Sequence, residues 1–194
     1  MINIHHNTDQ KTIDMPAVET AVKDLLLAIG ENPEREGLQD TPARVARFWR
    51  EFINYEAGNV GSAFSTTEAD QMVIVSGMRV YSLCEHHLLP FYCDVSIGYI
   101  PNGRVLGLSK FARVAHKFAH RLQIQEQLAQ QIADEIATLS GSDSVAVVVS
   151  GVHMCMIMRG IKTDGRMLTS VVRGAFSKNP DTRKEFLNLI EIAA

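Results

Sequence analysis

The chain has 194 residues, 46% of them hydrophobic, which is enough to build one compact domain with a substantial core. A formal charge of −3 excludes a surface coated in cations for nucleic acid, so any anion site must be local. The N-terminal MINIHHNTDQKTIDM has no apolar run of the signal-peptide kind, and no later stretch is long enough to span a bilayer. The expectation is a cytoplasmic protein with no membrane or nucleic-acid partner. Three cysteines at irregular spacing suit free thiols in a reducing compartment better than a disulfide framework.

His5 and His6, in the polar start, read as a frayed end. Val18, Ala21, Val22, Leu25, Leu26 and Ile29 then recur at helical spacing, opened by Asp14 and Pro16 and closed by Gly30. A second helix begins with Thr41 as its cap and Pro42 in the first turn, and carries Val45, Phe48, Trp49 and Phe52 along one face. Residues 1–55 are therefore expected to be a helical segment. Residues 56–70, aperiodic and rich in small and polar types, read as a loop or linker before the main domain at 71–194.

From there the period changes to two. Segments 71–76 and 78–83 are short strand candidates, and Phe91 to Ile100 alternates Phe91, Cys93, Val95, Ile97 and Tyr99 with Asp94, Ser96 and Gly98. Pro101-Asn102-Gly103 supplies a turn. Ser109 opens a helix with Phe111, Val114, Ala115, Phe118, Ala119 and Leu122 on one face. After a break near Leu122 to Gln125, Leu128, Ile132, Ile136 and Leu139 continue either as a second helix or as a kinked continuation, which Gly141 ends. Strands are predicted at 144–150, 152–159 and 167–173, the last two joined around Lys162-Thr163-Asp164-Gly165, and Asn179-Pro180 starts a final helix. Hairpin-like strands interrupted by one helical block indicate an α+β fold with an antiparallel sheet.

The densest chemistry lies in Cys84-Glu85-His86-His87, where a thiolate and an imidazole three positions apart can close on one tetrahedral metal from a tight turn. If 152–159 is a strand, period-two geometry puts His153, Cys155 and Arg159 on one face. Two cysteines and one histidine leave a fourth coordination position open, as a catalytic zinc requires. Cys93, on the apolar face of its strand, reads as a core thiol. His116 and His120 have the i, i+4 spacing of two ligands, but Lys117 follows where a catalytic glutamate would stand, so they read as a solvated helix face.

A second constellation is cationic. Lys110 and Arg113 lie one turn apart at a helix start, a position that favours anions. Arg159 and Arg44 read by themselves as ordinary surface, and Gln125-Glu126 as a first-turn pair.

Several segments in the same order closely resemble zinc-dependent, type IA GTP cyclohydrolase I: Cys84-Glu85-His86-His87-Leu88-Leu89-Pro90-Phe91, Gly107-Leu108-Ser109-Lys110, Arg121-Leu122-Gln123-Ile124-Gln125-Glu126 and Val152-His153-Met154-Cys155. The likeness runs from about Asp14 to the last helix and includes Asp40-Thr41-Pro42-Ala43-Arg44. It implies the tunnelling fold, with sheets of five subunits joined in a barrel, two rings forming a homodecamer, and active sites between subunits. It implies Zn2+ on Cys84, His87 and Cys155, with His86 and His153 as the histidines that assist proton transfer, and so distinguishes between the adjacent pair. Glu126 with Gln125 matches the guanine-recognition pair; Lys110, Arg113, Arg159 and Arg44 match the triphosphate-binding cations, and Ser109 a residue beside the ribose.

The implied reaction is attack of zinc-activated water at C8 of GTP, with release of formate. Ribose rearrangement and ring closure then give 7,8-dihydroneopterin triphosphate, the first step of folate and pterin biosynthesis. Tyr92-Cys93-Asp94 departs from the family's usual small residue and lysine, without removing any of these groups. A zinc nucleobase deaminase would show His-x-Glu and Pro-Cys-x-x-Cys, and neither is present. A non-catalytic protein using zinc only for structure would have no need of His86, His153 or an open ligand position.

Overall fold

The computed structural model describes residues 12–61, 63–65 and 71–193; His5 and His6 lie outside them. The chain divides into two compact units, Met1–Glu56 and Ala57–Ala194.

The first unit holds α1 (Met15–Ala28) and α2 (Thr41–Ile53). The Asp14 carboxylate accepts the Ala17 N–H at 3.0 Å, satisfying one of the donors that a helix start leaves unpaired. Thr41 does not cap α2. It is already the first helical residue, and Asp40 takes the cap position with its carboxylate turned to Arg44 at 2.9 Å.

The second unit follows in chain order: β1 (Ala63–Ser65), β2 (Val73–Cys84), β3 (Pro90–Tyr99), β4 (Arg104–Leu106), α3 (Leu108–Ala119), β5 (Leu122–Gln123), α4 (Gln125–Ser140), β6 (Val145–His153), α5 (Met154–Ile157), β7 (Met167–Val172), α6 (Ala175–Lys178) and α7 (Pro180–Ile192). β1 pairs with β4 inside the stretch read as a loop, because three residues are too few for alternation to register. The two candidates at 71–76 and 78–83 are one strand, with a bulge between Val75 and Met78 where Gly77 adopts φ +68°. The break at Leu122 resolves into two helices separated by β5.

The main sheet has the order β5-β2-β3-β6-β7. β2, β3, β6 and β7 are antiparallel neighbours, and β5 adds a parallel edge of two residues. The fold class is α+β, as the alternating patterns indicate. Phe91, Cys93, Val95, Ile97 and Tyr99 of β3 are sealed in the main core with Phe111, Val114 and Ala115 of α3 and Leu128, Ile132 and Ile136 of α4. On the opposite face, Gly98 makes room for α7: a Cβ there would lie 2.8 Å from the Phe186 ring, which packs with Ala146 and Phe176. Among the described residues no helix is long and apolar enough to cross a membrane.

The strand predicted over 152–159 is corrected. β6 ends at His153, whose partner Phe91 stands next to the first residue of β3. Beyond it the backbone leaves the β3 ladder and closes a local helical turn, Met158 N–H to Met154 O at 3.0 Å, with Thr163 N–H donating to Met156 O.

Candidate functional site

The turn between β2 and β3 is closed by backbone bonds that leave little freedom. The Cys84 N–H donates to Leu89 O at 2.8 Å, and His87 and Leu88 both donate to Cys84 O. Leu88 adopts φ +56°, a conformation costly for a branched residue and tolerated here by the surrounding bonds. The Glu85 N–H donates to Gln123 O, tying the turn to β5. Ser82 donates to Ala119 O at 2.7 Å, so the C-terminal end of α3 lies beside the Cys84 end of β2.

On this turn Cys84 Sγ lies 3.7 Å from His87 Nδ1 and 3.9 Å from His86 Nδ1. Cys155 arrives from α5, its Sγ 4.0 Å from Cys84 Sγ. Cys84, His87 and Cys155 form a set whose ligand atoms all lie within 4.8 Å of one another. A disulfide needs sulfurs about 2 Å apart, whereas two thiolates on one tetrahedral zinc lie about 3.8 Å apart. The donor set therefore fits a borderline-soft cation. Burial, then the adjacent Cys84 sulfur, holds the Cys155 thiol above its ordinary range. A bound cation reverses that by stabilising the thiolates. Arg159 acts on the same thiol in the lowering direction, so its guanidinium belongs to this neighbourhood although it does not share a strand with Cys155.

His153, at the end of β6, stacks on Phe91 with ring centroids 4.5 Å apart and planes 10° apart. Its Nε2 lies 2.9 Å from Gln125 Oε1. Burial lowers the His153 pKa, while the Glu126 carboxylate pulls it back up. Glu126 itself is exposed at the start of α4, and Gln125 beside it is buried. The two members of the expected guanine pair thus point to different surroundings.

Lys110 and Arg113 converge at the other end of α3. Both donate to the carbonyl of Asn59, Arg113 at 3.0 Å. Gly58 permits this approach, since a Cβ there would lie 2.8 Å from Arg113 Nη1. Burial, then the charge of Arg113, depresses the Lys110 pKa. Ser109 is exposed in the same turn, but it does not cap the helix: Gly107 holds that position and Leu108 begins α3. Nine residues of helix separate Lys110 from Ala119, a rise of about 14 Å, so the cation pair and the Cys84 turn sit at opposite ends of α3. Arg44, in the first unit, is exposed and paired with Asp40.

Two other expectations meet the structure differently. Cys93 is a core thiol, 0% exposed, as its strand position indicates. His116 and His120 are not a solvated face: both are half-buried, their rings 5.5 Å apart, and burial lowers both pKa values. Asn59 and Gly151 are neighbours of the site that sequence reasoning missed, and Phe91 reads in the sequence as a strand residue with nothing to mark its stacking on His153; each acts through a long-range contact.

Comparison with known proteins places the chain in a family. A profile of the family described as GTP cyclohydrolase I matches residues 18–191. A protein of Dehalococcoides mccartyi named GTP cyclohydrolase 1 is 50% identical over 92% of this chain and 97% of its own length. One of the same name from Hyperthermus butylicus is 46% identical over 92% of both chains, and GTP cyclohydrolase 1 1 of Pseudomonas syringae pv. tomato is 50% identical over 87% and 92%. With likeness at this level running through nearly its whole length, the chain belongs to the GTP cyclohydrolase I family.

Proposed function

We propose that this protein is a cytoplasmic GTP cyclohydrolase I, which hydrolyses the guanine imidazole ring of GTP at C8, releases formate and forms 7,8-dihydroneopterin triphosphate. The observation that carries the reading is the convergence of Cys84, His87 and Cys155, from a turn and a distant helix, in a chain of this family. These three residues would hold Zn2+. When bound, it supplies a Lewis acid that brings the pKa of a water in the fourth position toward neutrality.

The chain's own residues supply the rest. His153, after its imidazole takes up a second proton, delivers that proton to N7 as the C8–N bond opens, and His86, at the turn, moves protons in the later ribose steps together with Ser109. Glu126 recognises guanine, because a carboxylate accepts from both N1–H and the exocyclic amine, a pair of donors adenine lacks. Lys110, Arg113, Arg159 and Arg44 bind the triphosphate.

We further assign catalysis to residues 71–194, with 1–55 as a helical appendage joined through 56–70, and propose a homo-oligomer, a decamer of two pentamers. The separation of Lys110 and Arg113 from the Cys84 turn along α3 supports active sites shared between copies. So do β7, paired on one side only among the described residues, and the exposed apolar residues Leu108, Ile161 and Leu168.

The test is to incubate zinc-loaded protein with GTP and measure formate together with pterin fluorescence after oxidation. Stoichiometric appearance of both is expected; intact GTP overturns the reading. Light scattering on the same sample reads the assembly.

A further inference from the structure

Gln125 opens α4 but is 1% exposed, and its surroundings determine which way its amide points. The carbonyls of Val149 and Met167 stand 3.0 and 2.9 Å from Nε2, with Thr169 Oγ1 at 3.2 Å. Carbonyls only accept, so the NH2 group must face them. Oε1 therefore faces His153 Nε2 at 2.9 Å and Cys93 Sγ at 3.7 Å. The Cys93 thiol keeps its proton, since burial pushes its pKa up to about 12, and it donates to the same oxygen. Both donors and both acceptor positions of the amide are taken within the chain, leaving none for a base.

An amide oxygen cannot donate, so His153 Nε2 must carry the hydrogen of their bond. A neutral imidazole with its hydrogen on Nε2 has its lone pair on Nδ1. Two further features hold the arrangement. Gly151 leaves the notch in β6 that admits Gln125: a Cβ there would lie 2.0 Å from Oε1 and 2.9 Å from Cys93 Sγ. The parallel Phe91 ring fixes the plane of the imidazole.

We propose that Gln125 is a positioning residue that holds His153 in the Nε2–H tautomer, making Nδ1 the atom through which His153 exchanges protons with substrate, and that Gln125 is not itself a contact to guanine. The substrate part rests on the functional reading above; the tautomer rests on the geometry alone.

The experiment is 15N solid-state NMR of the zinc-loaded full chain labelled at histidine nitrogens, with His153→Asn used to assign the resonances. A pyrrole-type Nε2 and a pyridine-type Nδ1 are expected, and a wild-type Nδ1–H overturns the proposal whatever any variant does. In Gln125→Met, which keeps the length and removes the acceptor, both tautomers should appear. Its kcat for formate release should fall about 10- to 100-fold while KM for GTP stays within about twofold. A raised KM with unchanged kcat is the mark of a base contact and overturns the assignment. Wild-type protein with an Nε2–H His153 that leaves GTP intact would sink the functional reading and the substrate part while upholding the tautomer lock.

Discussion

The sulfurs of Cys84 and Cys155, 71 positions apart in the chain, lie 4.0 Å from one another with no bond between them. Cys84 is buried and Cys155 half-buried, and two thiolates at that separation repel, so a cation between them removes that cost. Cys155→Ala is expected to lower bound zinc per chain at least about tenfold and formate release at least about a hundredfold. Elemental analysis and a formate assay check both. A chelator should lower the melting temperature of the wild type and leave that of the variant unmoved, because ligand binding to the native state alone stabilises it.

Glu126→Gln removes one of two acceptor oxygens and the charge that assists them. Hydrogen bonds to charged groups contribute about 1.5–3 kcal/mol, so kcat/KM for GTP should fall about 10- to 150-fold, with the melting temperature unchanged for this exposed side chain. Steady-state kinetics decide it. An unaltered kcat/KM removes Glu126 from guanine recognition.

Lys110 and Arg113 share the Asn59 carbonyl and so present two cations from one turn of helix. Arg113→Met should raise KM for GTP about 10-fold or more with a smaller change in kcat, and the difference from wild type should shrink as salt is added, since anion binding at a partly exposed site is screened. KM measured at low and high ionic strength reads this directly.

Cys93 titrates only at about 12 in the folded chain, against 9.0 ordinarily, because burial disfavours its thiolate. Between those values the unfolded chain has released the proton and the folded chain still holds it. This contribution to stability is therefore complete below about pH 9 and declines as pH rises toward 12. Urea titrations of wild type and Cys93→Ala from pH 8 to about 10 should show that extra decline in the wild type alone. Iodoacetamide at pH 8 should label Cys93 only after denaturation.

Much of the fold is legible locally. Strict alternation from Phe91 to Tyr99 marks the strand that seals the core, and Asp14, Gly141 and Asn179 occupy helix boundaries because their chemistry suits them. Where the outcome depends on a distant partner the reading slips. Residues Val152 to Arg159 read as an alternating run, yet the strand stops at His153 because the partner strand starts at Pro90, one residue before Phe91. Pairing needs a neighbour, and the run itself does not reveal where the neighbour ends.

The sequence by itself determined that Cys84 and His87 share a turn, that Cys93 lies in the core, and that the chain alternates between strand and helix in an α+β order, because each follows from spacing along the backbone. Only the tertiary structure decided that Cys155 meets Cys84 from a helical turn, that Gln125 faces inward to His153 through the notch at Gly151, and that Lys110 and Arg113 converge on Asn59. Those relationships join residues 28 to 71 positions apart, and they depend on which surfaces remain to be buried once the sheet has formed.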